Sequence, residues 1–130
     1  MSVQVSFQGS VASTPATGSS TFPTETRTLL LNATRNYTRH FGGIISVTGT
    51  DGAPQDLDFG GMATIKFLAI KVQGDKIKLR ITTADGAAQI VPVSGGGQLI
   101  IDNPSSADIT AITLATVGSG VEAEYLVAGP

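Results

Sequence analysis

The sequence predicts an all-β protein, an antiparallel β-sandwich of jelly-roll type with an extended N-terminal arm. Three observations carry that expectation. Apolar and polar residues alternate with period two through most of the chain, the signature of strands with one buried face. Thr, Val and Ile are abundant, and their branched side chains suit a pleated surface better than a helix. Turn-forming sequences rich in Gly, Asp, Asn and Ser recur at short intervals and leave runs of strand length between them. With 130 residues the chain suffices for one domain with its own core.

Taken in order, Val3, Val5 and Phe7 alternate with Gln4 and Ser6 and predict a strand over 2–8. Residues 9–25 are small, polar and nearly uncharged, too poor in apolar area to offset their own ordering entropy. They read as a flexible loop, or as an arm that carries strand 2–8 toward a neighbouring subunit. The domain division that follows is an N-terminal strand and arm over 1–25 and a single sandwich over 26–130. Strands are expected at 26–32, 43–49 and 55–59. Between the first two, Ala33, Tyr37 and Phe41 fall at helical spacing, but the Thr and Asn residues around them disfavour a helix.

The second half alternates more regularly. Strands are expected at 63–72, 76–83, 88–93, 97–101, 109–116 and 121–128. Gln73-Gly74-Asp75 joins two alternating runs and predicts a hairpin of 63–72 with 76–83. Asp85-Gly86 predicts a second hairpin, 76–83 with 88–93. Gly118-Ser119-Gly120 predicts a third, 109–116 with 121–128. Phe7, Phe59 and Phe67 follow the apolar register of their strands and are expected in the core. Eight or more short strands without βαβ spacing best fit two four-stranded sheets of a jelly roll.

Composition narrows function mainly by exclusion. The chain has no Cys, no Trp and one His, which excludes a disulfide scaffold, a Cys-ligated metal site and a thiol enzyme. Charged residues are 14% of the total, against the usual ~25% for globular proteins. The net charge is −2, without the basic excess of a nucleic-acid binder. The basic residues form two loose groups. Arg27, Arg35 and Arg39 lie in the first third, and Lys66, Lys71, Lys76, Lys78 and Arg80 in the middle, where they alternate with apolar residues as the wet faces of strands do. The start of the chain lacks a basic n-region and an apolar h-region, and no apolar run reaches the ~18–20 residues that span a bilayer. The expectation is a protein made in a cytoplasm, with neither nucleic acid nor membrane as partner.

No nucleophile elbow, zinc-protease or phosphate-loop motif is present. His40 has no nucleophile in a triad context beside it and reads as a strand-end residue. Gly95-Gly96-Gly97 precedes a strand and reads as a bend, since a phosphate cradle needs a helix N-terminus. Asp51, Asp56 and Asp58 form the one acidic cluster and the sole candidate for calcium, although a hard cation wants six to eight oxygens. No catalytic residue, metal or cofactor is otherwise expected, and the chain reads as no enzyme. Tyr37 and Phe22, in irregular segments, are the best aromatic contact residues. With Val3, Val5 and Phe7 of the first strand, they make up the expected assembly contacts.

The segments 79–93, 109–116 and 121–129, the last ending Val121-Glu122-Ala123-Glu124-Tyr125-Leu126-Val127-Ala128-Gly129, resemble small structural proteins of tailed bacteriophage particles. The resemblance covers residues 63–129 and lies in strand and turn patterns. It implies a jelly-roll-like sandwich built into a virion in many copies. Within that class the resemblance implies a head decoration, or cement, protein that binds the major capsid protein from outside as a homotrimer. A tail or baseplate component, reading a receptor or a carbohydrate, is the alternative. Such a protein needs surfaces that pair with themselves and with a lattice, and a low charged fraction suits surfaces buried in contacts.

Overall fold

Alternation along each strand decides which residues the two sheets share. In the computed structural model, which describes residues 2–13 and 27–130, ten strands and no helix occur among the described residues. They are β1 (Val3–Ser13), β2 (Arg27–Tyr37), β3 (Arg39–Ser46), β4 (Gln55–Asp56), β5 (Phe67–Gln73), β6 (Ile77–Thr83), β7 (Ala88–Val93), β8 (Gln98–Asp102), β9 (Ile109–Thr116) and β10 (Glu122–Gly129). Each expected strand has its counterpart. The differences are in length and partnership.

Two four-stranded antiparallel sheets run in the orders β3-β10-β5-β8 and β4-β9-β6-β7. Of the connections from β3 to β10, only β6–β7 stays within one sheet; every other crosses to the opposite sheet. This is jelly-roll connectivity, two interleaved Greek keys closed over one core. Inward residues from both sheets form a single cluster: Leu68, Ile70 and Val72 of β5, Ile77, Leu79 and Ile81 of β6, Ile112 and Leu114 of β9, and Ala123, Tyr125 and Val127 of β10. The intervening Lys78, Arg80, Glu122 and Glu124 are exposed, as the period of two requires. Val47, Leu57, Phe59 and Met62 close the cluster from the connections. Pro92 is tolerated because β7 is an edge strand, where its missing N–H costs no ladder bond.

Two of the three expected hairpins are corrected. β5 and β6 lie in different sheets, and so do β9 and β10; only β6 with β7, in register Ile77 to Val93, is a hairpin. The glycine turns at 74 and 118–120 are arches between sheets. They meet at one end of the sandwich, together with the triple glycine. Gly74 has φ +95°, and a Cβ on Gly95 would come within 1.9 Å of the Gly74 carbonyl oxygen, so backbone packs on backbone there.

Phe67 is buried, as expected, with 2% of its surface exposed. A bend at Lys66 shifts the alternation by one, so that Ile65 and Leu68 both join the core cluster and Phe67 lies on the face of β5 opposite Leu68.

β1 and β2 pair in a two-stranded sheet of their own. The chain accordingly divides into a unit over Gln4–Asn36 and a unit formed by Met1–Val3 with Tyr37–Pro130. Gly9 to Ser13, expected in the loop or arm, belong to β1, and β2 belongs to neither sheet of the sandwich. The remainder of the expected arm, residues 14–25, lies outside the described residues.

Candidate functional site

The outer face of the β3-β10-β5-β8 sheet holds a surface depression. Register places its residues in rows across the four strands. One row is Ile44, Glu124, Lys71 and Gln98; the next is Gly42, Leu126, Ala69 and Ile100. Ile44 is 67% exposed, Ile100 49% and Leu126 37%. The small Ala69 lies between Leu126 and Ile100, so the second row is a trough with an apolar floor. The depression encloses about 220 Å³ and is lined by Ala69, Ile100 and Leu126, with Lys71, Gln98 and Glu124 at its polar side. Lys71 Nζ is 4.0 Å from Glu124 Oε2, and both side chains are more than half exposed, so the pair marks a charged rim and adds little stability.

A second apolar surface lies on β2. Leu29, Leu30 and Leu31 are 60%, 68% and 39% exposed. Successive residues of a strand point to opposite faces, so this run presents leucine on both sides of a two-stranded sheet. The sequence carried a signal for it: a strand with one buried face has no use for three leucines in a row. Reading 26–32 as a sandwich strand obscured that signal.

Of the expected contact residues, Val5 and Tyr37 are buried in the single chain, and Val3 and Phe7 are half-buried. Phe22 lies outside the described residues.

The acidic candidate does not assemble. Among the described residues no group of three or more His, Cys, Asp or Glu side chains could hold a metal ion. Asp51 Oδ2 accepts a hydrogen bond from Lys78 Nζ at 3.1 Å, and Asp58 Oδ1 accepts one from the Gly60 amide at 2.8 Å. Both carboxylates are committed to structure, and Asp56 stands exposed on β4. His40 is exposed on β3, opposite Ala128 of β10. Lys66 and Asp108 form a part-buried ion pair that ties the bend before β5 to the loop before β9.

Among the described residues, two groups titrate away from their ordinary values. Burial, and then the nearby Asp58 charge, push the Tyr125 hydroxyl up; that hydroxyl donates to the Asp58 carbonyl at 2.9 Å. The Thr83 hydroxyl, and then the Ala87 amide, hold Asp85 below the usual carboxylate range in the β6–β7 turn. Both are structural devices, one inside the sandwich and one at a hairpin tip. Comparison with protein-family models, curated proteins and solved structures found no match.

Proposed function

We propose that this protein is a non-enzymatic structural component of a virus particle, a decoration protein that binds the outer surface of a tailed-phage head and stabilises it. The observation that carries the proposal is the leucine run of β2. A two-stranded sheet is marginally stable in water on its own, and one with leucine on both faces gains from being covered by another molecule. A jelly-roll body supports the same reading, because it offers rigid faces and sheet edges for repeated contacts and needs no chemistry. The low charged fraction adds support, since contact surfaces are depleted in charge at their centres. Repetition over a lattice turns individually weak contacts into firm attachment.

The test is immunogold electron microscopy of particles from the native source with antibody raised to this chain. Labelling over the head, and heads that break at lower temperature when the protein is stripped, is the expected result. Label at the tail tip, or on no particle, would overturn the proposal.

A further inference from the structure

We propose that Asp51 is a site of spontaneous backbone modification. The Asp51-Gly52 pair closes to a succinimide and reopens as isoaspartate, while the fold protects the other Asp-Gly pair of the chain, Asp85-Gly86. The inference concerns the folded chain by itself and stands apart from the assembly reading above.

The chemistry is internal to the peptide. The Gly52 amide nitrogen attacks Cγ of the protonated Asp51 side chain. The N–Cγ bond forms, the Cγ–OH bond breaks, and the hydroxyl leaves with the amide proton as water. A water molecule then reopens the ring. Addition at Cγ restores aspartate. Addition at the main-chain carbonyl carbon of Asp51 leaves the chain running through the side chain, lengthened by one carbon, with a free α-carboxylate. No oxidant takes part, and the final mass is unchanged. Glycine favours the closure because it puts no Cβ beside the attacking nitrogen and lets the backbone reach the ring geometry.

The two pairs are alike in sequence, and the structure separates them. In the β6–β7 turn the Asp85 carboxylate accepts from the Thr83 hydroxyl and the Ala87 amide, and the Gly86 amide donates to the Thr83 carbonyl at 2.9 Å. Nucleophile and electrophile are both held in other bonds there, and the lowered Asp85 value keeps its carboxyl in the ionised form that does not react. Asp51 and Gly52 are instead the exposed tip of a two-residue turn, closed by reciprocal Thr50 and Ala53 bonds of 3.1 Å. A Cβ on Gly52 would meet nothing within 4 Å, and among the described residues the Gly52 amide has no acceptor. The Asp51 carboxylate is held by Lys78 Nζ at 3.1 Å, an exposed pair that restrains it little. Below the tip the segment is clamped: the Thr48 amide donates to Gln55 Oε1, and the Thr116 amide to the Gly49 carbonyl, both at 2.9 Å. The rearrangement is therefore confined to the tip. It breaks the Thr50 and Ala53 register and releases Lys78 from the Asp51 side chain.

The test is to age the purified full-length chain, warm and in mildly acidic buffer, and to follow both sites by peptide mapping. Electron-transfer fragmentation distinguishes isoaspartate from aspartate at equal mass, and an aspartate-specific protease no longer cuts at the modified residue. Isoaspartate is expected to appear about tenfold faster at Asp51 than at Asp85, a barrier difference of ~1.4 kcal/mol. In urea, where the fold is gone, the two rates are expected to converge. Gly52→Ala, which the open space at Gly52 accommodates, is expected to lose the product at 51 and keep the wild-type circular dichroism spectrum. Equal rates in the folded chain overturn the proposal, as does faster conversion at Asp85. It is also overturned by a rate difference that persists unchanged in urea, or by a folded chain that stays unmodified at 51 while the unfolded chain reacts.

Discussion

Tyr125 joins the sandwich core to a connection: its ring is buried 6.3 Å from the Phe41 ring, and its hydroxyl reaches the Asp58 carbonyl. Tyr125→Phe keeps the packing and removes the donor, which should cost about 1 kcal/mol in urea denaturation. The pH response follows from the raised Tyr125 value. The folded protein holds that proton more tightly than the unfolded chain does. The contribution is therefore full below the unfolded value of ~10 and is lost as pH rises through the folded one. Wild type should lose stability more steeply than Tyr125→Phe above about pH 10, and parallel curves would remove Tyr125 as the cause. Gly95 is a constraint of another kind. With the Gly74 carbonyl 1.9 Å from where a Cβ would lie, Gly95→Ala must displace the arch and should destabilise by at least ~2 kcal/mol. The same substitution at Gly52, which has open space around its Cβ position, should cost much less.

At the scale of elements, the β6–β7 hairpin rests on Asp85. Its carboxylate accepts from the Thr83 hydroxyl and the Ala87 amide, which holds its value low, so its contribution is present above the unfolded value of ~3.8 and fades as pH falls through the folded one. Asp85→Ala should lower the thermal midpoint at neutral pH, and the gap from wild type should close in acid. A gap that does not change with pH would place the effect in the backbone of the turn instead.

This hairpin was legible in the sequence because Asp-Gly between alternating runs specifies a tight turn. The turns at 73–75 and 118–120 carry equally strong signals, yet both are arches. Period-two alternation shows which side of a strand is buried, and glycine shows where the chain reverses. Neither says whether the next strand rejoins the same sheet or crosses to the facing one, since both outcomes bury the same residues. The face that Phe67 occupies was hidden for a related reason: a one-residue bend at Lys66 resets the alternation without changing the composition of the run. The leucines of β2 were legible in principle, as a run that breaks the period. The acidic cluster shows the opposite failure, because closeness in sequence did not bring the side chains of Asp51, Asp56 and Asp58 to one point.

For the molecule as a whole, the order of strands makes the two ends of the chain unequal. Among the described residues the core cluster is drawn from Val47 through Val127 and contains nothing from β1 or β2. The last strand, by contrast, is central: β10 lies between β3 and β5, with Gly129 opposite Arg39, and supplies Ala123, Tyr125 and Val127. Its sheet cannot close until the end of the chain is in place. Pairing across such separations makes loop closure costly, so refolding should take milliseconds to seconds, with no fast phase that completes the sandwich. Deletion of residues 1–36 should leave a β spectrum and a cooperative thermal transition. Deletion of residues 122–130 should abolish the transition altogether, because it opens one sheet along both sides of its missing strand and removes three core side chains. Circular dichroism and light scattering on the two truncations make the comparison. If the N-terminal deletion also unfolds, β1 and β2 are part of the stability of the body, although the core cluster of the described residues draws no side chain from them.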